Sequence, residues 1–260
     1  MQAKFVDREV ELRELQALWD SESPGLLVVH GRRRVGKTRL LLQWLQGKPH
    51  IYYMALMASH EVNLARLAQQ IERQLGLEGF SKPTYPSLDT LLEAFKNLVG
   101  KRRLALVLDE FTYWVRSEPK VLSELQLFVD HVLPQTNILL IICGSIVGLM
   151  HREILGGGSP LYGRRIASLH VKPLKPWHLK EFLPRYSKED RLRVYSLVGG
   201  IPYYLQLFKP QLPLRDNILS LFISKLAPLR NEVEILLHEE FRDPHVYLSI
   251  LSSIVKGANT

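Results

Sequence analysis

The stretch Gly31-Arg32-Arg33-Arg34-Val35-Gly36-Lys37-Thr38 decides the fold. It satisfies the pattern G-x-x-x-x-G-K-[ST], and its neighbours supply the context that pattern needs. Before it runs Gly25-Leu26-Leu27-Val28-Val29-His30, short, apolar and β-branched, like a buried strand. After it comes Arg39-Leu40-Leu41-Leu42-Gln43-Trp44-Leu45, made of good helix formers. Strand, glycine loop and helix in that order make a phosphate cradle. The glycines let the backbone turn with φ > 0 and bring its N–H groups close to phosphate oxygens. The helix N-terminus adds a partial positive charge. Lys37 is placed to reach β- and γ-phosphates, and Thr38 to ligate Mg²⁺. The competing reading is an ordinary glycine turn beside a stray lysine.

Further along, Leu104-Ala105-Leu106-Val107-Leu108-Asp109-Glu110 is a continuous apolar run that ends in two carboxylates. Such a run is typical of a parallel strand buried on both faces. In a doubly wound sheet ligands bind beyond the carboxyl ends of the strands, so Asp109 and Glu110 are expected beside the Lys37 loop. Asp109 then suits hydrated Mg²⁺ and Glu110 the polarisation of an attacking water; the bland alternative is an acidic turn. A third apolar run, Asn137-Ile138-Leu139-Leu140-Ile141-Ile142-Cys143-Gly144-Ser145, puts Ser145 at another strand end. There the serine either touches the γ-phosphate or the water, or caps a helix.

The remaining pattern alternates strands and helices. Leu12, Leu15, Leu18 and Trp19 mark a first helix, with residues 5–19 as the helix and its lead-in. Ile51-Tyr52-Tyr53-Met54-Ala55-Leu56 reads as a strand, and Leu64, Leu67, Ala68, Ile71 and Leu75 as an amphipathic helix. A Gly/Pro-bearing loop over residues 76–86 leads to Ser87, a cap for the helix of Leu88, Leu91, Leu92, Phe95, Leu98 and Val99. A helix around Val121, Leu122, Leu125, Phe128 and Val132 precedes the third run. A glycine loop at 156–160, then Arg164 and Arg165, lead to a fifth strand expected over residues 167–174. Alternating strands and helices imply an α/β parallel sheet. From Pro176 the pattern turns helical. Leu179, Phe182 and Leu183 form one face. Ser187-Lys188-Glu189-Asp190 forms a capping box before the helix of Leu192, Tyr195 and Val198. Later helical faces run through Ile218, Phe222 and Leu226, then Val233, Leu236 and Leu237, then Val246, Ile250, Leu251 and Ile254.

Bulk properties agree. The chain has 260 residues, 46% hydrophobic and 23% charged, which suits one large domain or a core with a smaller module. No apolar run reaches membrane-spanning length, and the first five residues lead into a charged helix rather than a signal peptide. One cysteine, Cys143, excludes an internal disulfide and a multi-cysteine zinc site, and suits a small core residue. These features lead us to expect a cytoplasmic protein. The net charge of +8 suggests phosphates or nucleic acid, but the densest basic cluster (Arg32, Arg33, Arg34, Lys37 and Arg39) lies in the loop itself, where ATP alone accounts for it. The nine histidines have no metal-ligand spacing, and there is no H-E-x-x-H or G-x-S-x-G.

Together these segments resemble the archaeal ATPase family, part of the STAND group of AAA-related P-loop NTPases, over nearly the whole chain. Phe5-Val6-Asp7-Arg8-Glu9-Val10-Glu11 is similar to the family's hydrophobic-hydrophobic-G-R-E-x-E segment, with Asp7 in place of glycine. The loop at 31–38 resembles its phosphate loop, arginines included, and Leu108-Asp109-Glu110 its Mg²⁺ and water-activating strand. Cys143-Gly144-Ser145 and Tyr162-Gly163-Arg164-Arg165 resemble later segments, and Gly199-Gly200-Ile201-Pro202-Tyr203-Tyr204-Leu205 the G-x-P motif of a helical lid.

The resemblance implies an ASCE-type P-loop NTPase: an α/β core over residues 1–175 with a five-stranded parallel sheet in the order 5-1-4-3-2, a helical lid over 176–243, and the first helix of an incomplete winged-helix domain over 244–260. It implies ATP or ADP with Mg²⁺ between core and lid. Arg8 and Glu9 fall near the base, the loop residues Gly31, Arg32, Arg33, Arg34, Val35, Gly36, Lys37, Thr38 and Arg39 on the phosphates, and Pro202 on the nucleotide from the lid. Thr38 and Asp109 fall on the metal. Arg164 or Arg165 is left as the sensor of γ-phosphate charge, beside Lys37, Glu110 and Ser145 as catalytic candidates. Asn259 or Thr260 would cap a following helix. The implied activity is a slow Mg²⁺-dependent ATPase acting as a conformational switch. The alternatives are a DNA-binding regulator that ATP modulates, or a phosphotransferase using the same loop. The implied partners are nucleotide, and DNA or protein through the winged helix, with an oligomer possible and no membrane.

Overall fold

The computed structural model describes residues 5–241 and 243–257. The expected caps Asn259 and Thr260, and Met1 to Lys4, lie outside the described residues. The chain divides into two compact units, residues 8–172 and residues 173–257 with 5–7.

The first unit is built on five parallel strands: β1 Gly25–His30, β2 His50–Met54, β3 Leu104–Asp109, β4 Ile138–Gly144 and β5 Arg165–His170. Their order across the sheet is β2-β3-β4-β1-β5, which read from the other edge is 5-1-4-3-2. Every residue of β1, β3 and β4 is buried, whereas the edge strands β2 and β5 are only partly covered. That is why the three inner strands read as unbroken apolar runs. On one face, Leu26, Val28, Leu106, Leu108, Leu140 and Ile142 pack into a single cluster with residues of α3 His60–Leu75, α4 Leu88–Val99, α5 Phe111–Ser117 and α6 Val121–Leu127. The alternate residues Leu27, Val29, Val107 and Ile141 are equally buried, as are Leu15 of α1 Glu9–Asp20 and Leu40 and Leu41 of α2 Lys37–Trp44. Burying one such aliphatic side chain is worth about 1.5–3 kcal/mol, so both faces of these strands add to the stability of the unit.

One local reading needs correction, and two short helical segments were not anticipated. The fifth strand begins at Arg165 and ends at His170, not at 167–174. Val171 still donates its N–H to the His30 carbonyl at 2.8 Å, but Pro173 has no N–H and ends the ladder. The short helix α5, directly after Glu110, was not anticipated. Nor was the helical turn α7 Val147–Leu149 with its π continuation Met150–Leu155. Among the described residues no helix is long and apolar enough to cross a membrane.

The second unit is helical: α8 Leu179–Phe182, α9 Lys188–Val198, α10 Pro202–Leu205, α11 Leu214–Ile218 with a π turn Leu219–Ile223, α12 Glu232–Glu240 and α13 Pro244–Val255. Ser187 caps α9, its Oγ accepting from the Asp190 N–H at 3.0 Å. The buried face of α9 is Val194 and Val198; Leu192, expected there, is 58% exposed. Leu226 lies outside the helices and is almost wholly exposed. Asn217 is the polar pin of the unit: its side chain bonds both the N–H and the carbonyl of Lys209 at 2.9 Å and donates to the Tyr186 hydroxyl at 2.7 Å. Gly200 must be glycine, because a Cβ there would lie 1.7 Å from the Leu174 carbonyl oxygen. On α13 the apolar residues Val246, Ile250, Leu251 and Ile254 are exposed.

Candidate functional site

The carboxyl ends of β1, β3 and β4 bring five of the expected residues together. The loop after β1 turns into α2 at Gly36, whose φ of +100° is one that a side chain would strain. The next residue, Lys37, is 5% exposed and folds over the loop, its Nζ donating to the carbonyls of Gly31 at 2.9 Å and Arg32 at 3.1 Å. Thr38 donates its hydroxyl to Asp109 Oδ2 at 2.7 Å, so loop and β3 are joined. Asp109 is fully buried, and its Oδ1 accepts from the Glu110 N–H at 2.8 Å. Glu110 has a left-handed backbone, φ +49°, as it turns the chain from β3 into α5. Strain of that kind in a side-chain-bearing residue gathers at functional sites. Ser145, buried at the end of β4, donates its Oγ to Glu110 Oε2 at 2.7 Å. It therefore touches the second carboxylate rather than capping a helix.

One member of this cluster was not anticipated. Tyr52 of β2 donates its hydroxyl to Asp109 Oδ2 at 2.5 Å. Burial first, and then the charge of Asp109, push that hydroxyl well above the ordinary phenol range, so it remains a donor. In the register Tyr52↔Val107 and Met54↔Asp109, Tyr52 shares a sheet face with Asp109. Pairing register alone could have found it. Cys143 sits below the cluster, its thiol raised well above the ordinary range by burial first and by Asp109 next, as befits an inert core residue.

Arg8 is buried at the start of α1. Its guanidinium donates to Glu11 Oε1 at 2.8 Å, to the Val35 carbonyl at 3.1 Å and to the Lys172 carbonyl at 3.0 Å. It clamps the phosphate loop to the segment leaving β5. Glu9 is exposed beside it and accepts from the Arg8 N–H at 3.1 Å. In the loop, Arg32 is exposed; Arg33, Arg34 and, on α2, Arg39 are half-buried; Val35 is buried. Arg34 is left-handed, φ +64°. Pro202 is the first residue of α10, in the second unit.

Arg164 and Arg165 require correction: the fold does not bring them to the loop. Arg165 pairs with Leu26, near the start of β1, whereas the loop follows its last residue, His30. Leu26 is four residues from His30, about 13 Å at roughly 3.3 Å per residue. Arg164 is committed to Asp130, Nε to Oδ1 at 2.6 Å, and that hydrogen bond holds the Asp130 carboxyl below its ordinary value. Arg165 donates to the Leu155 carbonyl at 3.1 Å.

The donor set fits Mg²⁺ and a polyphosphate. Thr38 and Asp109 offer hard oxygens 2.7 Å apart. Mg²⁺ usually takes one or two protein oxygens and completes its shell with phosphate and water. Accordingly no cluster of three His, Cys, Asp or Glu is required, and none occurs among the described residues. The lysine ammonium and the start of α2 supply the positive field a phosphate needs.

The sequence was compared with known proteins. It is 37% identical over 256 residues, 98% of the chain, to an uncharacterized protein of Methanocaldococcus jannaschii. The match spans 55% of that relative, so the chain covers about half its length. Among solved structures it resembles a Walker-type ATPase of Pyrococcus abyssi, TM-score 0.62 at 22% identity, over 99% of this chain and 77% of that one. It also resembles the ORC2 protein of Aeropyrum pernix in its ADPNP–ADP complexes, TM-score 0.58 at 16% identity, over 90% and 74% of the two chains. These two likenesses establish the P-loop NTPase fold. The family model described as an ATPase domain predominantly from Archaea matches residues 5–208. With strand order, loop and sequence in agreement, the chain belongs to this family of archaeal ATPase domains.

Proposed function

We propose that the protein hydrolyses ATP slowly and uses the cycle as a conformational switch. The observation that carries the reading is the continuous contact from Thr38 through Asp109 and Glu110 to Ser145, beside the buried Lys37. Lys37 and the loop N–H groups hold the β- and γ-phosphates. Thr38 and Asp109 would hold Mg²⁺, which when bound neutralises charge on the phosphate oxygens. Glu110 accepts the proton of the attacking water. Ser145 occupies its Oε2, leaving Oε1 for that water. Arg8 serves the site by bracing the loop through Val35. Glu9 near the base, Pro202 on the nucleotide, the lid role of residues 176–243 and a winged helix beginning at α13 belong to the same proposal. They rest on the family resemblance and, for α13, on an exposed apolar face suited to a further packed element. A DNA or protein partner engaged through that element is proposed on the same footing. Phosphate release by Glu110→Gln tests the reading. The variant is expected to bind ATP as the wild type does and to lose turnover; normal turnover would remove Glu110 as the base.

A further inference from the structure

Three oxygen and nitrogen donors bond the Asp109 carboxylate, and they differ in what they demand of the sequence. The Glu110 N–H is backbone and would be there with any non-proline residue. The Thr38 hydroxyl belongs to the loop itself. The third donor, Tyr52, comes from a neighbouring strand and has no part in the scheme above. Its placement is nonetheless tightly held. β2 runs in register with β3, and the Tyr52 N–H, on the edge of the sheet, is taken by Gln74 Oε1 at 2.9 Å. A short hydrogen bond from a neutral hydroxyl to a carboxylate is among the strong ones. The terminal torsion of an aspartate is soft, so its plane is set by such partners.

We infer that Tyr52 is a positioning residue for the metal site: its hydroxyl orients the Asp109 carboxylate toward Mg²⁺ bound with nucleotide. The inference rests on the proposed nucleotide site and adds a residue to it. Partners that orient a metal-binding carboxylate typically change metal affinity by about 10–100-fold when removed. Tyr52→Phe keeps the ring and deletes only the donor. The Mg²⁺ concentration giving half-maximal Mg²⁺-dependent binding of a fluorescent ADP is expected to rise about tenfold in this variant, with ADP affinity in EDTA unchanged. An unchanged Mg²⁺ midpoint overturns the inference; so does an equal loss of affinity in EDTA, which would mean a packing role. The same substitution made in an Asp109→Asn background subtracts any general loss of stability. There Tyr52→Phe is expected to add nothing, and a further shift of the midpoint would show that Tyr52 does not act through Asp109. Wild-type protein that binds no ADP in Mg²⁺ or in EDTA would instead sink the nucleotide-site reading itself, a result distinct from either of these.

Discussion

The two ends of the sheet in the first unit carry different polar side chains and use them differently. At the carboxyl ends of β1, β3 and β4 they bond one another: Thr38 and Tyr52 to Asp109, Ser145 to Glu110. At the amino ends arginines bond backbone carbonyls. Arg103, just before β3, donates to the carbonyls of Leu18, Trp19, Ser23 and Asn137 at 2.9–3.3 Å and lies over the Trp19 ring at 4.8 Å. Arg165 donates to Leu155 in the same manner. A guanidinium given over to carbonyls ties loops together: Arg103 joins four backbone carbonyls from three segments. Carboxylates and hydroxyls bonded pairwise keep lone pairs that can be turned toward a ligand. Bonding alone does not separate the two ends, since Lys37 and Arg8 beside the loop also donate to backbone carbonyls; position does, and it puts Arg165, bonded to Leu155, and Arg164, bonded to Asp130, at the end away from the loop.

Variants at the two ends should therefore fail in different ways. The largest effect is expected for Glu110→Gln, with phosphate release down by about 10²–10⁴-fold, the usual contribution of a general base, and ATP affinity retained. Lys37→Ala should weaken ATP binding by roughly 10–100-fold, as befits loss of about 1.5–3 kcal/mol in a charged hydrogen bond. Equilibrium titration measures this directly, and an affinity within twofold of wild type would place the phosphates elsewhere. At the other end Arg103→Ala should cost about 2–3 kcal/mol of stability in a denaturant melt, because its carbonyl partners lose a charged donor. The nucleotide affinity of the folded protein should stay as it was. The smallest effect is expected for Arg164→Ala, whose half-buried pair with Asp130 is worth about 1 kcal/mol. Turnover should change by less than about twofold, the range of an ordinary surface substitution. A tenfold loss of turnover would return Arg164 to the site and erase the contrast.

How much of this was legible in the sequence followed the same division. The runs that became β1, β3 and β4 are buried on both faces, so composition alone marked them, and the polar residues at their ends were found as Lys37, Thr38, Asp109, Glu110 and Ser145. Their mutual geometry follows from parallel strands that all end on one side. Tyr52 was hidden because it sits in an edge strand where a tyrosine is ordinary, and only the pairing of β2 with β3 aims it at Asp109. Arg164 and Arg165 entered the site through the resemblance of Tyr162-Gly163-Arg164-Arg165 to a family segment, not through their place before the fifth strand. The strand begins at Arg165, so its first residue lies at the amino end of the sheet, the far end from the loop. The helix α5 escaped because it spans seven residues and buries Phe111, Thr112, Trp114 and Val115. That packing, together with the Trp114 indole donating to His60 at 3.0 Å, makes it helical where local periodicity is too short to register. In the second unit the helices were visible but their faces were not. α9 buries Val194 rather than Leu192, a choice made by tertiary contacts on a helix with apolar residues around much of its circumference.

The thermal midpoint of wild type and Lys37→Ala with Mg²⁺ and ATP tests the nucleotide site most directly. A ligand at a hundred times its Kd stabilises by about 2.7 kcal/mol, roughly 5–10 °C for a protein of this size. The wild type is expected to show that rise with ATP, and Lys37→Ala to show little of it. No rise in nucleotide-free wild type, or an equal rise in both proteins, would contradict a nucleotide site at the carboxyl end of the sheet.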